Sequence, residues 1–178
     1  MWWDTLVPRL RIFCVSEDRD NLLMWAHYAK DHTGVVFEFM FLPDGDNPLS
    51  IAKPVIYVER PEPFFTEAEW LDDMTSIRKL DRDWLFLRYP LLKSDHWKYE
   101  REWRVWYPLD HPQDALYDDL DIRPAEFAAL YIGCRAEPAT VAKIVDLTRT
   151  AFPATKIFQA RKSEMDYALE YDEIKNYN

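Results

Sequence analysis

Two carboxylates and a guanidinium alternate in the segment Trp97–Arg104, which reads WKYEREWR. If residues 100–107 form a strand, Glu100, Glu102 and Arg104 project from one face, because successive side chains point to opposite sides. Arg104 could pair with one glutamate and leave the other free to act. A guanidinium suits phosphate or carboxylate. A fixed carboxylate can hold a ribose hydroxyl and stabilise an oxocarbenium-like transition state.

A second group of residues suited to binding lies in the segment WAHY, residues 25–28. On a helix, Trp25 and Tyr28 lie on neighbouring faces and could stack on a ring. His27 lies between aromatic residues, where an imidazole needs a polar partner. His27 and His32 are about 140° apart on an ideal helix, so they cannot bind one metal from a single face. No metal site is expected. Tyr57, within VIYVE, is a further candidate for stacking on a ring.

Each of these residues also has a structural explanation. Trp25 and Tyr28 could be core aromatics, the histidines could be satisfied polar groups, and Tyr57 could simply pack. The alternation of Glu and Arg could be a charged ladder on a solvated sheet face. An acidic and basic face is unusual for a core, so we expect it either to be exposed or to line a cleft.

The elements that position these residues follow from hydrophobic periodicity and capping signals. Helices are predicted at 21–31, from the Thr66 capping box to a point before Pro90, and at 138–151. Gly34 is expected to close the first helix at positive φ. Strands are predicted at 9–16, 35–41, 54–59, 100–107, 128–132, 156–161 and 167–171. Because strands outnumber helices without regular alternation, we expect an α+β fold. We expect a single domain over 1–178, with a mixed or largely antiparallel sheet packed against two to three helices.

Composition narrows the class of protein. The chain has 178 residues, of which 48% are hydrophobic and 16% aromatic, which is ample for a packed core and excludes a disordered chain. Its three glycines are too far apart for a phosphate loop or a dinucleotide fingerprint. Two cysteines cannot form a four-cysteine zinc site or a disulfide framework, and they fit a reducing cytoplasm.

Charge and hydropathy narrow the partners. The net charge of −10 disfavours nucleic acid and anionic membrane surfaces, because no run of Lys and Arg offsets it. The longest stretch without Asp, Glu, Lys or Arg is 21–29, well short of the ~20 residues of a membrane helix. The first residues show no secretory signal. We therefore expect a small molecule such as a nucleotide, or a protein, as the partner. The many aromatic residues could also leave a patch that pairs with a second copy.

Two segments resemble the signatures of the family called "domain of unknown function 2971". The first is NLLMWAHYA at 21–29 followed by HTGVV at 32–36, and the second combines Lys93 and Trp97 with YEREWR at 99–104. The resemblance continues through VIY at 55–57, LYIG at 130–133 and the C-terminal pair of strands, and so runs from about Phe13 to about Tyr171. Family members usually carry an N-terminal block before the segment around Ser16. We expect any site that uses this block to be incomplete here.

The resemblance implies a bacterial protein from a family often discussed alongside mobile and phage-defence genes, with no established activity. The family's arrangement is similar to that of ADP-ribosyltransferases, which hold NAD with an early His or Arg, a central Tyr or Ser, and a late Glu. Taken in the same order, those positions correspond to His27, Tyr57, and Glu100 or Glu102. NAD would then be the substrate, and no resident cofactor is required.

Three functions remain open at the level of sequence. The first is transfer or cleavage at the nicotinamide–ribose bond of NAD, in which Glu100 or Glu102 would stabilise the ribose and Arg104 would contact phosphate. In that reading the aromatic candidates stack on a ring, and His27 supports them by hydrogen bonding. The second is recognition of a nucleotide or a protein without chemistry, since aromatic and Arg residues are favoured at binding hot spots. The third is a structural role for both motifs, or an inactive, shortened family member.

Overall fold

The structure is a computed structural model that describes residues 7–42, 47–61, 63, 65–80, 87–109 and 117–175. The chain forms two compact units, each assembled from two separate stretches of sequence. Unit 1 comprises Met1–Glu17 and Ile51–Asp119, and unit 2 comprises Asp18–Ser50 and Leu120–Asn178. The expectation of a single domain stays a prediction.

The described residues contain three α-helices and nine strands, numbered here in chain order. The helices are α1 (Leu22–Tyr28), α2 (Glu67–Met74) and α3 (Pro138–Ala151). The strands are β1 (Leu10–Ser16), β2 (Val35–Phe39), β3 (Lys53–Pro54), β4 (Ile56–Val58), β5 (Leu92–Ser94), β6 (Glu102–Pro108), β7 (Phe127–Ile132), β8 (Lys156–Lys162) and β9 (Leu169–Glu173). This mixture, with mostly antiparallel pairing, confirms the α+β class.

Unit 1 is built around strand β6. In the order β1-β6-β3, both neighbours of β6 run antiparallel to it, and the register places Cys14 opposite Arg104. A second, two-stranded sheet pairs β4 with β5 in parallel and places Tyr57 opposite Lys93. The 3-10 turn Asp95–Glu100 then leads from β5 into β6. Two pieces of sheet and one short turn therefore converge on the start of β6.

Unit 2 is a four-stranded sheet in the order β2-β7-β8-β9 with a helix on each face. Strands β7 and β8 run parallel, joined by α3, while the two outer pairs are antiparallel. Helix α1 buries Trp25 and Ala29 against one face of the sheet. Helix α3 buries Val141 and Val145 against Ile132 and Ile157 on the other face. Because side chains alternate along β7 and β8, the two strands supply both cores.

Several predicted boundaries differ from the structure. The first helix, predicted at 21–31, is capped by the Asn21 side chain and ends at Tyr28. The Thr66–Glu69 capping box is confirmed. The helix that it begins ends at Met74, and residues 75–80 form turns and irregular chain with Ser76 at φ 59°, so the prediction of one continuous helix up to Pro90 is wrong. The part of that prediction at 81–86 lies outside the described residues. The strand predicted at 54–59 is divided between β3 and β4. The final strand begins at Leu169 rather than at residue 167.

The prediction that Gly34 adopts a positive φ is wrong. The left-handed residues are instead Lys30, Asp31 and His32, with φ angles of 48°, 52° and 64°. Gly34 is needed for close approach, because an added Cβ would lie 2.9 Å from the Ala29 carbonyl oxygen. At Gly133 the backbone is closer still, and a Cβ would lie 2.1 Å from the His32 carbonyl oxygen. These two glycines let the turn after α1 lie against the end of β7.

Candidate functional site

Four charged side chains meet at the start of β6 in unit 1. We call Lys93, Glu100, Glu102 and Arg104 the charged cluster. Lys93 lies on β5, Glu100 ends the 3-10 turn, and Glu102 and Arg104 begin β6. Glu100 is 2% exposed and Glu102 is 6% exposed. The sequence groups three of these four residues, and the structure confirms that they lie together.

Arg104 and Glu102 form a two-pronged ion pair along one face of β6. The Arg104 Nε donates to Glu102 Oε1 at 2.8 Å, and Nη2 donates to Oε2 at 3.1 Å. The remaining guanidinium nitrogen, Nη1, donates to the Pro90 carbonyl oxygen at 2.5 Å. Bidentate geometry of this kind is both strong and directional. Arg104 is therefore fixed at all three of its nitrogens.

Lys93 joins the two carboxylates. Its Nζ donates to Glu102 Oε2 at 2.9 Å and also to Glu100 Oε2. The ammonium lies 5.1 Å from the centroid of the Trp97 ring, within range of a cation–π interaction. Lys93 is part of the sequence motif, but no periodicity reveals its role. The turn Asp95–Glu100 brings it back beside residues seven and nine positions along the chain.

The charges of the cluster are set by its hydrogen bonds. Burial opposes ionisation of the Glu102 carboxyl, but hydrogen bonds from Arg104, Cys14 and Lys93 outweigh it and lower its pKa to about 2. Burial likewise opposes the charge of Lys93, and the bonds to Glu100 and Glu102 outweigh it, so its pKa is raised. The pKa of Arg104 is also raised, because Glu102 outweighs the effect of burial. Glu102, Lys93 and Arg104 are all ionised at neutral pH.

Three surrounding side chains hold the cluster in place. The Glu102 amide donates to the Tyr57 hydroxyl at 2.9 Å, which makes Tyr57 a neighbour of the cluster as the sequence mapping requires. Ser16 Oγ donates to the Glu100 carbonyl oxygen at 2.7 Å. Cys14, opposite Arg104 on β1, has its thiol pKa raised to about 11 by burial and by its hydrogen bond to Glu102. These partners lie far from the cluster in the sequence, so no local sequence pattern predicts their contacts with it.

The structure corrects the predicted ladder at Glu100. Glu100 belongs to the 3-10 turn, and Arg101 then takes a left-handed conformation with φ 47° before β6 begins. Glu100 therefore reaches the cluster from the end of a turn and not from a strand face. The expectation that Arg104 leaves one carboxylate free is also wrong, because Lys93 bonds to both glutamates.

Glu102 has little capacity left for a further hydrogen bond. A carboxylate offers about four acceptor positions. Two Arg104 nitrogens, the Lys93 ammonium and the Cys14 thiol already donate to it. A ligand hydroxyl that bonds to Glu102 must therefore displace one of these donors.

The first sequence cluster belongs to unit 2. Trp25 is 1% exposed and packs in the core, and its Nε1 donates to the Arg19 carbonyl oxygen at 2.7 Å. In this position it offers no face to a ligand, as the structural explanation expected. His27 and Tyr28 are exposed, and their rings meet edge to face at 6.3 Å. The functional roles of all three residues stay predictions.

Unit 2 contains a further polar network, which local sequence patterns do not reveal. Arg19 donates to Glu38 at 3.1 Å and to the Tyr131 hydroxyl, which in turn donates to Glu38 at 2.5 Å. The guanidinium lies 4.7 Å from the Tyr131 ring and 5.3 Å from the Tyr171 ring. Burial and the bond to Glu38 raise the pKa of Tyr131 to about 12. The network ties the segment before α1 to the sheet.

The described residues contain neither a candidate metal site nor a candidate membrane-spanning helix. In that part of the chain, no group of three or more His, Cys, Asp and Glu side chains could hold a metal ion. Among the same residues, every helix is too short or too polar to cross a bilayer.

Comparison with known families agrees with the sequence motifs. The model of the family described as "Protein of unknown function (DUF2971)" matches residues 24–105, just under half of the chain. That segment contains the WAHY motif and the whole charged cluster, and the protein is accordingly DUF2971-like. The match is narrower than the resemblance through Tyr171, and it leaves β7, β8 and β9 outside. No curated protein and no solved structure matches the chain.

Proposed function

We propose that the protein acts on a nucleotide of the NAD class at the charged cluster and cleaves or transfers at the nicotinamide–ribose bond. The observation that carries this proposal is the buried Glu102 carboxylate, which is fixed beside Glu100, Tyr57 and Arg104. The resemblance to ADP-ribosyltransferases selects Tyr57 and Glu100 or Glu102 for holding NAD, and Arg104 is added because its guanidinium suits phosphate. His27, the fourth residue of that mapping, lies in unit 2.

The cost of the cluster supports a functional role. Each buried ion loses several kcal/mol of hydration, and well-packed apolar residues often serve stability equally well. Perturbed carboxyl pKa values concentrate at functional sites, although structural ion networks share this property. A carboxylate that is ionised before the ligand arrives stabilises positive charge without reorganising during the reaction.

The proposed reaction places that negative charge beside the ribose. The bond between the ribose carbon and the nicotinamide nitrogen breaks, and its electron pair neutralises the pyridinium. The sugar passes through an oxocarbenium-like state that Glu102 or Glu100 stabilises. Water or an acceptor hydroxyl then bonds to the ribose carbon and releases its proton to solvent. Arg104 would contact phosphate.

Lys93 is the donor that a ligand would displace. Arg104 is held by Pro90 as well as by Glu102, whereas the Lys93 ammonium contacts, among the described residues, the two carboxylates and the Trp97 ring. Its ammonium is a positive charge between two carboxylates, which is the position that the ribosyl cation requires. We infer that Lys93 closes the site in the absence of substrate.

The free thiols Cys14 and Cys134 fit our expectation of a bacterial, cytoplasmic setting.

The proposal is tested by incubating the protein with NAD and measuring released nicotinamide. Glu102→Gln and Glu102→Asp should each reduce release at least a hundredfold, since loss of one electrostatic stabiliser costs about 10²–10³ in rate. Glu102→Asp keeps the charge while withdrawing it by one methylene, which limits the damage to the buried ion pair. Rates are compared per folded molecule, with the folded fraction taken from circular dichroism.

Glu17→Gln is the matched control. Glu17 is also an ion-paired glutamate of unit 1, bonded to Arg101 at 2.9 Å and to Trp103 at 2.6 Å, but it lies outside the cluster. This variant should release nicotinamide at the wild-type rate. The proposal fails if wild-type protein releases none, or if the Glu100→Gln and Glu102→Gln variants both retain full release.

A second candidate function is recognition of the nucleotide without chemistry. It is favoured by the four donors that already occupy Glu102. In that case Arg104→Ala would weaken NAD binding, measured by calorimetry, while no nicotinamide would form in any variant.

A further inference from the structure

A cavity of about 620 Å³ opens in unit 2, whereas the residues of the charged cluster belong to unit 1. Its wall includes the loop between β8 and β9, the residues that follow β7, and His32 in the turn after α1. Pockets of about 300–1,000 Å³ suit drug-sized ligands. The volume is therefore sufficient for a small organic ligand.

Backbone hydrogen bonds join the two segments that contribute His32 and Arg135 to the cavity. The Gly133 amide donates to the Gly34 carbonyl oxygen at 2.9 Å, and the Arg135 amide donates to the His32 carbonyl oxygen at 3.0 Å. The His32 ring stacks on the buried Trp25 ring, with centroids 6.1 Å apart and planes 7° apart. His32 Nδ1 is buried and has no hydrogen-bond partner among the described residues. The position of His32 thus depends on the core beneath it.

Two cations line the same cavity. Lys162, at the end of β8, is exposed and forms no ion pair with any described residue. Arg135 is also exposed, and its Nη1 makes only a long contact of 3.4 Å to the Asp31 carbonyl oxygen. A guanidinium and an ammonium are the side chains that bind phosphate most readily. The chain has a net charge of −10, so two cations that line the same cavity depart from its overall acidic character.

The loop that follows Lys162 contributes an exposed aromatic ring and two carboxylates to the same cavity. Tyr167 is 102% exposed and Met165 is 89% exposed. Glu164 and Asp166 alternate with them along the same loop. An exposed phenol can stack on a base, as aromatic side chains do in nucleic-acid sites. Carboxylates accept hydrogen bonds from ribose hydroxyls.

We propose that this cavity binds a nucleoside phosphate. Lys162 and Arg135 hold the phosphate, Tyr167 stacks on the base, and Glu164 or Asp166 accepts from the ribose. The site is independent of the proposed NAD chemistry, because each of these residues lies in unit 2 and Lys93 lies in unit 1.

The test is calorimetric titration at 0.15 M salt with ADP, adenosine and inorganic phosphate as separate ligands. ADP should bind more tightly than adenosine or phosphate, because only ADP carries both the phosphate for Lys162 and Arg135 and the base and ribose for the loop 163–168. Lys162→Glu and Tyr167→Ala should each weaken ADP binding at least tenfold. Both side chains are exposed, so neither variant should lower the melting temperature.

Lys143→Glu is the control for charge, since it reverses an exposed lysine on α3 and should leave ADP binding unchanged. Arg104→Ala separates the two sites, because Arg104 would contact phosphate in the charged cluster. With the folded fraction taken from circular dichroism, this variant should not alter ADP binding if the cavity is the binding site. The proposal is overturned if ADP fails to bind, if phosphate binds as tightly as ADP, or if Arg104→Ala abolishes binding that Lys162→Glu retains.

Discussion

At the scale of single residues, Glu102 determines the properties of the charged cluster. It accepts from Arg104, Lys93 and Cys14, and its own amide donates to Tyr57. Its ionised state is therefore a product of its neighbours, and any change to one of them alters the others. Removing one partner of a buried ion pair typically costs about 3–5 kcal/mol. Glu102→Gln should consequently affect stability as well as activity, which is why Glu102→Asp accompanies it.

The lowered pKa of Glu102 predicts acid sensitivity. Its pKa is about 2 in the folded protein against an ordinary value of 4.5, so the unfolded state binds the proton more readily. The stabilisation is complete above pH 5 and is lost as the pH falls from 4.5 towards 2. Its size is about 3 kcal/mol at 1.36 kcal/mol per pKa unit. The free energy of unfolding, measured with urea, should differ less between wild type and Glu102→Gln at pH 3 than at pH 7. A difference independent of pH would contradict this.

The thiol of Cys14 reports on the same carboxylate. Burial and the bond to Glu102 raise its pKa to about 11, so it should react slowly with iodoacetamide at pH 8. In a Cys134→Ser background, which leaves one thiol, Glu102→Gln should accelerate alkylation of Cys14 because Arg104 then faces the thiol without its carboxylate. Mass spectrometry follows the reaction. Equal rates in the two proteins would show that Glu102 does not contact Cys14.

At the scale of elements, the turn between β5 and β6 creates the cluster and a close contact of glycines positions the cavity. The 3-10 turn Asp95–Glu100 ends in the left-handed Arg101, which reverses the chain so that Lys93 faces Glu102. In unit 2, Gly34 and Gly133 let the turn after α1 touch the end of β7. In both places, side chains are positioned by backbone geometry that extends over only a few residues.

Gly133→Ala should disrupt the second arrangement. An added Cβ would lie 2.1 Å from the His32 carbonyl oxygen, and its nearest neighbours are backbone atoms of His32 and Gly34 that cannot rotate away. Overpacking of this kind typically costs about 1–3 kcal/mol. We expect a lower melting temperature and, because His32 must move, weaker ADP binding. Lys143→Ala, on the exposed side of α3, serves as the control and should leave both unchanged. An unaltered melting temperature for Gly133→Ala would contradict the close contact.

The helices and strands also show which features of the fold can be predicted from the sequence. Helix α3, with inward Val141 and Val145, and strand β1 follow from periodicity, and β7 follows from its continuous apolar run, which is buried on both faces. The pairing of Glu102 with Arg104 follows from their spacing of two on a strand. The hydrogen bonds from Lys93 to the two glutamates do not follow from sequence spacing, because the 3-10 turn Asp95–Glu100 brings these residues together. Nor does the contact of Cys14, because the register of β1 on β6 joins residues 90 positions apart.

At the scale of the whole molecule, the residues of the two proposed sites belong to two different units, each built from two stretches of the chain. The charged cluster and Tyr57 belong to unit 1, whereas Trp25, His27, Tyr28 and the cavity belong to unit 2. The net charge of −10 disfavours a polyanionic partner for the chain as a whole, although local cations could still hold one small anion. Association with a second copy stays a prediction.

The central claim is that Glu102 is an ionised carboxylate used on the ribose of NAD. The most direct measurement is the ratio of nicotinamide release by wild type and by Glu102→Asp, per folded molecule, from pH 5 to pH 8. We predict a ratio of about a hundred or more that is constant with pH, because a carboxyl of pKa about 2 is ionised throughout this range. A ratio near one, or wild-type protein that releases no nicotinamide, would contradict the claim.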